Sequence, residues 1–361
     1  MRRFPDAPLP GGRKIAVLRP NAVGDFVFAL PALHALRAAY PEAELVLLGR
    51  DWHAAFLAGR PGPVDRVVVV PPLPGIGLPA DAPAHGEVDR FVHAMRAEAF
   101  DIACQMYGGG RHSNPLVAAF DARLAVGARA EGAPALDRWV RYTEPANRRL
   151  ALLEVAALAG AGGFSFGDAH GAELALAEAD RRAAAALLPP EAGERLVVLQ
   201  PGSTDPRRCW PARSFALVGD ALARLGARVL VNGSAAEAPL VRAVTAAMRE
   251  PAIDLSGRLD LGGLCGLLAR AALVVSNDTG PLHLALALGR PCVGVFWLTN
   301  LIDGMPLRQA LLHAALAVRV ACPVCGQPNL DSRCAHDASF VADVPAEQVI
   351  ELATVALRDA Q

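Results

Sequence analysis

Short apolar runs alternate along the chain with longer segments whose apolar residues recur at helical spacing. The runs of strand length cover residues 14–19, 44–49, 66–71, 101–106 and 123–128, and then 195–200, 228–232, 273–276 and 291–297. They are continuously apolar, which is typical of strands buried on both faces of a parallel sheet. The helical pattern occurs at 26–40, 212–225, 236–249, from 281 onward and at 345–360. This alternation predicts βαβ units and therefore the α/β class of fold.

The strand–helix alternation occurs in two separate halves of the chain. A chain of 361 residues exceeds one ordinary domain. The Gly-rich stretch that begins near residue 160 leads into a short helical pattern stopped by Pro189 and Pro190. We predict an N-terminal domain at 1–165, a linker at 166–194, a C-terminal domain at 195–344 and a terminal helix at 345–361. Two doubly wound parallel-sheet domains of this size would face each other across a cleft.

Composition narrows the classes of protein that this pattern can represent. Hydrophobic residues make up 53% of the chain and the formal net charge is −1. A nucleic-acid-binding protein usually has an excess of basic residues, so we expect no nucleic-acid partner. The sequence shows neither the apolar core of a signal peptide nor about 18 consecutive apolar residues. We therefore expect a cytoplasmic protein, and the scattered cysteines fit a reducing compartment.

The first loop with candidate chemistry follows the first predicted strand. It contains Asn21, Gly24 and Asp25, and the next helix begins there. Gly24 permits a positive φ or a close backbone approach. Asp25 is either an N-cap of the helix or a carboxylate that acts as a general base. The spacing of glycines does not match the G-x-G-x-x-G pattern of dinucleotide-binding proteins.

The second loop opens the second half of the chain with the sequence PGSTDPRRCWP (201–211). Ser203 and Thr204 supply hydroxyl groups, while Arg207 and Arg208 supply cations that can bind a phosphate through two N–H groups. A plain solvated turn rarely combines these residues with a tryptophan. The loop therefore predicts an anion site.

The third loop lies in NDTGPLHLALALGRP (277–291), between an apolar strand and an apolar helix. Asn277, Asp278 and Thr279 can cap the helix, and Gly280 permits close approach of a ligand. Pro281 suits the first helical turn. Free N–H groups at such a helix start favour a phosphate, and His283 on the first turn is either structural or a ligand of the anion or its sugar.

These three stretches resemble the motifs of glycosyltransferase family 9, the ADP-heptose:lipopolysaccharide heptosyltransferases. GDFVFALPAL (24–33) is similar to the family's N-terminal G-D-x5-P-A-L motif. PGSTDPRRCWP is similar to its P-G-[ST]-x3-[KR]-x-W-P motif. The third stretch is similar to its [ND]-D-[ST]-G-x2-H-x-A-A-L-x2-P motif and is the most specific of the three. The resemblance covers roughly residues 14–350.

The resemblance implies a GT-B fold and inverting transfer of a sugar, by default heptose, from a nucleotide-diphosphate donor, by default an ADP-sugar, without a metal or other cofactor. Asp25 would be the general base in an acceptor-binding N-terminal domain. The C-terminal domain would bind the donor, and Glu237 matches an acidic position that binds ribose, its alternative being a helix-surface carboxylate. The full set of donor-binding residues would be Ser203, Thr204, Arg208, Glu237, Asp278, Thr279, Gly280 and His283.

The acceptor implied by the family is a lipopolysaccharide core or another glycan, which would place the enzyme peripherally at the inner membrane. Arginines of the first domain could meet an anionic acceptor; they are residues 96, 111, 123, 138, 141, 148 and 149. Two alternatives stay open. One is a nucleotide-sugar 2-epimerase of GT-B fold, which acts on the donor alone, and the other is a non-catalytic nucleotide-sugar-binding protein.

A cysteine-rich segment, ACPVCGQPNLDSRCAHD (321–337), is separate from these motifs. Cys322, Cys325, Cys334 and His336 have ligand types that can form a tetrahedral zinc site. The spacing is short, and members of the family often carry cysteines in this region. We therefore expect an ordinary loop with reduced thiols and no metal, with a small structural zinc site as the less favoured alternative.

Overall fold

The computed structural model describes residues 7–83, 86–163, 172–330 and 332–359. The chain divides into two compact units, Met1–Phe166 and Gly167–Gln361. Both are built from a parallel sheet with helices on its faces, so the predicted α/β class with two doubly wound domains is confirmed.

The first unit has a six-stranded sheet and a short two-stranded ribbon. Its elements are β1 (Lys14–Leu18), α1 (Val23–Ala39), β2 (Glu44–Gly49), α2 (Asp51–Leu57), β3 (Arg66–Val69), β4 (Leu73–Pro74), β5 (Gly77–Leu78), α3 (Glu87–Ala97), β6 (Ile102–Gln105), α4 (Ser113–Ala118), β7 (Leu124–Arg129), β8 (Arg138–Arg141) and α5 (Arg148–Leu158). The strand order is β3-β2-β1-β6-β7-β8, and each neighbouring pair is parallel.

The second unit repeats this arrangement. Its elements are α6 (Glu178–Leu187), β9 (Leu196–Gln200), α7 (Ala212–Arg224), β10 (Arg228–Val231), α8 (Ala238–Ala247), β11 (Ala252–Asp254), α9 (Leu261–Arg270), β12 (Leu273–Asn277), α10 (Gly280–Ala287), β13 (Cys292–Trp297), α11 (Leu298–Gly304), β14 (Leu312–Ala317) and α12 (Ala346–Asp359). The order β11-β10-β9-β12-β13-β14 is again wholly parallel. In both sheets the direction of winding reverses beside the first strand, which is the switch point where ligands bind in open α/β sheets.

Each sheet lies inside its own apolar core. The strands β1, β6, β9 and β12 are buried along nearly their whole length, which explains their unbroken apolar sequences. Trp210 and Phe215 pack edge to face in the core of the second unit, with ring centroids 5.1 Å apart. The helix α12 contributes Ala353 and Leu357 to the same core.

Besides the short β4–β5 ribbon, three edge strands of the six-stranded sheets were not predicted from the sequence: β8, β11 and β14. Only β14 has the length of a typical strand, and all three lack the continuous apolar run of the central strands. The segment 166–194, which we expected to link the domains, contains α6. This helix packs tightly on α9. A Cβ atom placed on Gly266 of α9 would lie only 2.1 Å from the carbonyl oxygen of Asp180 in α6.

Among the described residues, the structure contains no helix whose length and apolarity would let it cross a bilayer.

Candidate active site

The loop after β1 places Asp25 in the first turn of α1. The helix begins at Val23, its N-cap residue is Ala22, and no side chain caps it, so the N-cap alternative for Asp25 is wrong. Gly24 is the second helical residue and does not have a positive φ, so the positive-φ alternative for Gly24 is wrong, while a close backbone approach there stays a prediction. The carboxylate of Asp25 is therefore free of a capping role.

The side chain of Arg19 is hydrogen-bonded to Asp25. Nη2 of Arg19 donates to Oδ1 of Asp25 at 3.1 Å and to the backbone oxygen of Asp25 at 2.9 Å. Nη1 donates to the carbonyl oxygen of Met106 at 2.5 Å. The side chain of Arg19 is 6% exposed and that of Asp25 is 39% exposed. Burial lowers the pKa of Arg19, and the Asp25 carboxylate opposes this shift.

A pocket of about 170 Å³ in the first unit contains Asp25 together with Arg19, Asn21, Tyr142 and Arg148. Oδ1 of Asn21 is buried and has no hydrogen-bond partner among the described residues. The pocket thus combines one carboxylate with two guanidinium groups and polar oxygens. We did not predict Arg19 or Tyr142 from the sequence, although the position of Arg19 at the carboxyl end of β1 was an available signal.

The two arginines of the loop after β9 have different principal partners. Arg207 is held by Asp205, which accepts hydrogen bonds from its side chain at 2.6 to 3.2 Å, and it also donates to Asn329 at 3.3 Å. The hydrogen bond to Asp205 raises the pKa of Arg207. Nε of Arg208 also lies 3.9 Å from Oδ2 of Asp205, so the two arginines share this carboxylate, but the guanidinium group of Arg207 is already occupied by protein groups. Ser203 accepts a hydrogen bond from the amide of Asp205 at 3.3 Å.

Arg208 instead joins a cluster around Asp278, at the end of β12. Oδ2 of Asp278 accepts hydrogen bonds from Arg208 at 3.0 Å and from Asn300 at 2.9 Å, while Oδ1 lies 3.0 Å from Nε2 of His283. The Asp278 side chain is 6% exposed and that of Arg208 is 27% exposed. Burial raises the pKa of Asp278, but the hydrogen bond and charge of His283 and the charge of Arg208 outweigh burial and hold it below its ordinary value.

Asn277 connects the second and third loops. Its Oδ1 accepts a hydrogen bond from the amide of Trp210 at 3.0 Å, and its Nδ2 donates to the carbonyl oxygen of Pro201 at 2.6 Å. Both ends of the 201–211 loop are thus tied to the last residue of β12. The predicted capping role of Asn277 is wrong, because its side chain is used to hold the neighbouring loop.

The helix α10 begins at Gly280 with Thr279 as its N-cap residue, but no side chain caps it. Pro281 lies in the first turn, as predicted. Within the described part of the chain, the amides of Thr279 and Gly280 have no acceptor. An uncapped helix start next to Arg208 is a suitable binding site for an anion.

Glu237 lies beside the same loop. It ends a 3-10 helix, Ala235–Glu237, and its Oε2 accepts a hydrogen bond from the amide of Ser234 at 2.7 Å. A Cβ atom on Gly202 would lie 1.8 Å from Oε1 of Glu237, so the absence of a side chain at Gly202 lets the carboxylate reach the loop. Asn300 was not predicted; its position in the first turn of α11, the helix that follows β13, is the signal that could have identified it.

The two parallel-sheet units and their loops agree with the class expected from the sequence, a glycosyltransferase of GT-B fold. The sequence profile of glycosyltransferase family 9 (heptosyltransferase) matches residues 88–319, well over half of the chain. The chain belongs to this family, as its motifs indicated.

Curated relatives agree with this assignment over different lengths. Lipopolysaccharide heptosyltransferase 1 of Escherichia coli (strain K12) is 26% identical over 318 residues, which cover 83% of this chain and 93% of the relative. Lipooligosaccharide heptosyltransferase 2 of Haemophilus influenzae is 31% identical over 114 residues, but this match covers only 30% of this chain and 33% of the relative.

Solved structures share the fold over nearly the whole chain. The crystal structure of a family 9 glycosyl transferase from Veillonella parvula DSM 2008 superposes with a TM-score of 0.75 at 20% identity, covering 96% of this chain and 97% of that chain. The E. coli heptosyltransferase WaaC with ADP gives a TM-score of 0.63 at 23% identity, covering 84% and 93%.

Proposed function

We propose that this protein transfers a heptose from an ADP-heptose donor to the hydroxyl of a lipopolysaccharide-core glycan, with inversion at the anomeric carbon. The observation that carries the proposal is the cluster of Arg208, Asp278 and His283 beside the uncapped start of α10. The solved WaaC structure contains ADP. This supports a nucleoside diphosphate as the leaving group for the present chain.

In this proposal the diphosphate lies between Arg208 and the first amides of α10. Arg208 supplies a guanidinium group with N–H donors directed by Asp278, and the helix start supplies neutral N–H groups. As the bond between the anomeric carbon and the phosphate oxygen breaks, negative charge grows on the diphosphate. Donors already fixed in position stabilise that charge with little reorganisation.

Asp278 acts here as a positioning residue. Both of its oxygens are occupied by protein groups, one by Arg208 and Asn300 and the other by His283. The carboxylate therefore directs Arg208 and His283 toward the donor while its own oxygens stay in these contacts. Ser203 and Thr204 lie in the loop that also contains Arg208, and we assign their hydroxyl groups to the phosphates.

Glu237 is assigned to the hydroxyl groups of the ribose. One of its oxygens is held by the amide of Ser234, and the other faces the backbone at Gly202. A carboxylate fixed in this way accepts hydrogen bonds from two neighbouring hydroxyl groups.

Asp25 is assigned as the general base. The acceptor hydroxyl attacks the anomeric carbon, its proton passes to the Asp25 carboxylate, and the nucleoside diphosphate leaves from the opposite face. Arg19 orients that carboxylate through one hydrogen bond to Oδ1, and its two hydrogen bonds to the backbone oxygen of Asp25 hold the guanidinium group in place. Arg148 and Arg19 also make the Asp25 pocket suitable for an acceptor that carries negative groups.

The test is consumption of ADP-heptose with and without a heptose-free lipopolysaccharide core. We expect the release of ADP and the appearance of glycosylated acceptor to depend on the acceptor. Arg208→Ala should raise the donor KM by about tenfold or more, and Arg208→Lys should have an intermediate effect because lysine lacks the planar fork. Arg213→Ala, which removes an exposed arginine in the first turn of α7, serves as the matched control and should leave the KM unchanged.

Two results would contradict the proposal in different ways. Conversion of the donor to an isomer without acceptor would indicate an epimerase. Tight binding of the donor without consumption under either condition would indicate a binding protein.

A further inference from the structure

The segment between β14 and α12 is long, covers residues 318–345, and contains little regular structure. In its described part it forms an isolated antiparallel bridge between Ala321 and Pro328. Segments of this length without secondary structure are uncommon in compact domains unless something other than a sheet or helix orders them. Phe340, Val341 and Val344 hold its second half in the apolar core of the second unit, whereas residues 323–328 are exposed and have no such anchor.

Four side chains of this segment converge. The sulfur atoms of Cys322, Cys325 and Cys334 and a ring nitrogen of His336 all lie within 4.8 Å of one another. We call these four residues the Cys3His cluster. In a tetrahedral zinc site with bonds of about 2.3 Å, the sulfur atoms lie about 3.8 Å apart. The four ligands therefore need to move by an ångström or less to hold a metal ion.

The backbone and a side chain already direct two of the sulfur atoms. The amide of Val324 faces Sγ of Cys322 at 3.4 Å, and Gly326 turns the chain back with a φ of 73° and an amide bonded to the carbonyl of Cys322 at 2.9 Å. Nδ2 of Asn329 faces Sγ of Cys334 at 3.6 Å, and the amide of Cys334 donates to Oδ1 of Asn329 at 3.2 Å. N–H groups placed next to sulfur stabilise thiolate ligands and fix their orientation.

The cluster also has an unpartnered group. Nδ1 of His336 is buried and has no hydrogen-bond partner among the described residues. A buried ring nitrogen without a partner costs free energy unless a ligand or a proton acceptor occupies its place. The thiols themselves are all free rather than paired in disulfides.

We propose that the Cys3His cluster binds one divalent metal ion of the zinc class and that this ion fixes the segment that supports the donor loop. Three thiolates and one imidazole match the closed tetrahedral sites in which zinc has a structural role. On binding, the thiols release their protons to solvent and four protein ligands fill the coordination sphere. Ferrous iron prefers related ligands, so metal analysis must distinguish the two.

The second half of this proposal rests on the proposed function, because it concerns the donor loop. Three hydrogen bonds join the metal-binding segment to that loop. Arg207 donates to Asn329 at 3.3 Å, the amide of Phe340 donates to the carbonyl of Arg207 at 2.8 Å, and Ser339 donates to the carbonyl of Cys209 at 2.8 Å. These bonds hold the residues on both sides of Arg208.

Asn329 is the direct connection between the metal site and the loop. Its side chain is bonded to Cys334 on one side and to Arg207 on the other, and the residue is 7% exposed. A metal that fixes Cys334 therefore also fixes Asn329. Loss of the metal would leave Arg208 on a loop with a mobile support, and the affinity for the diphosphate would fall.

The first experiment measures metal content in protein purified under reducing conditions without chelator. We expect about one equivalent of zinc per chain. Cys325→Ser should lose it, because this exposed ligand can be replaced without disturbing the core. Ser332→Ala, an exposed residue of the same segment that offers no metal ligand, is the matched control and should keep it. His336→Cys should also keep it, because four thiolates bind zinc equally well.

The metal content and the state of the thiols decide whether the site exists and which metal it holds. One equivalent of iron in place of zinc would support the site and change the metal. Less than about a tenth of an equivalent of either metal, both as purified and after incubation with zinc and reductant, would overturn the site. A disulfide within the cluster in the freshly purified protein would overturn it as well.

The second experiment measures ADP binding by calorimetry. Cys325→Ser should bind ADP about tenfold more weakly than the metal-loaded protein. Asn329→Ala removes a group that orients Cys334 but leaves all four ligands, so it should still bind the metal while its ADP binding weakens. Equal ADP affinity in all three proteins would overturn the role of the metal in supporting the loop. If the metal-loaded wild type does not bind ADP, the proposed function fails and the metal site is judged by metal content alone.

Discussion

Arg19 and Asp25 show how much one contact can change the interpretation of a residue. From the sequence, Asp25 at a helix start was compatible with an N-cap or with a base, and spacing could not separate them. The structure places it two residues beyond the first helical position, with its carboxylate on Arg19. A side chain at that position cannot accept from the amides ahead of it in the way that an N-cap does.

The substitution Asp25→Asn tests the proposed base, because it replaces one carboxylate oxygen by an amide nitrogen. We expect Asp25→Asn to lower the rate of transfer by a factor of about 100 or more, because an amide cannot take the proton of the acceptor hydroxyl. The affinity for ADP should change less than twofold. Asp51→Asn, an exposed carboxylate at the first position of α2, is the control. Transfer at the wild-type rate in Asp25→Asn would remove Asp25 as the base.

At the scale of elements, the central strands and the long helices could be predicted because burial on both faces leaves a continuous apolar signal. The edge strand β11 could not, because three half-buried residues carry almost no pattern. The candidate residues of the second unit could be proposed from their loop positions, and their roles stay a prediction. Their pairing could not be predicted, because Arg207 and Arg208 are adjacent in sequence and only the positions of Asp205 and Asp278 decide which arginine is used structurally.

The Asp278 cluster should also contribute to stability in a pH-dependent way. The pKa of Asp278 is lower in the native protein than its ordinary value, so its contribution is complete above about pH 4 and decreases as the pH falls through the native pKa. We expect Asp278→Asn to be less stable by about 3 kcal/mol at pH 7, since Arg208 and His283 lose their partner. This difference should shrink below pH 4.

Urea unfolding from pH 7 to pH 3 measures this difference. Glu347→Gln, which replaces an exposed carboxylate in α12, is the control and should follow the wild type at every pH. A constant difference between wild type and Asp278→Asn over the whole range would contradict the assigned ionisation.

The contact between α6 and α9 gives a second prediction at this scale. A methyl group on Gly266 would meet the backbone of Asp180, which cannot rotate away as a side chain can. We expect Gly266→Ala to destabilise the second unit by about 2 kcal/mol, even though alanine is the better helix former. Arg182→Ala on the exposed face of α6 should be neutral. Equal urea midpoints for Gly266→Ala and wild type would show that the two helices do not pack this closely.

At the scale of the whole molecule, each unit has its own sheet and its own core, and the proposed donor site belongs to the second unit alone. We therefore expect ADP at 100 times its Kd to stabilise that unit by about 2.7 kcal/mol. Hydrogen exchange should slow in peptides that cover 200–210 and 277–285. Peptides that cover β1 and α1 report whether ADP acts outside the second unit, and protection found only there would contradict the donor assignment.

The two candidate loops share one electrostatic design with opposite sign. In the first unit a nearly inaccessible arginine steers a partly exposed aspartate, and in the second unit a nearly inaccessible aspartate steers a partly exposed arginine. Each pair is neutral as a whole, so neither loop has to keep an isolated charge in place before substrates arrive. The buried residue, Arg19 or Asp278, orients its partner, and the more exposed residue, Asp25 or Arg208, presents its charge to the site. Replacement of Arg19 or Asp278 would therefore leave the charge of Asp25 or Arg208 in place but without a fixed orientation.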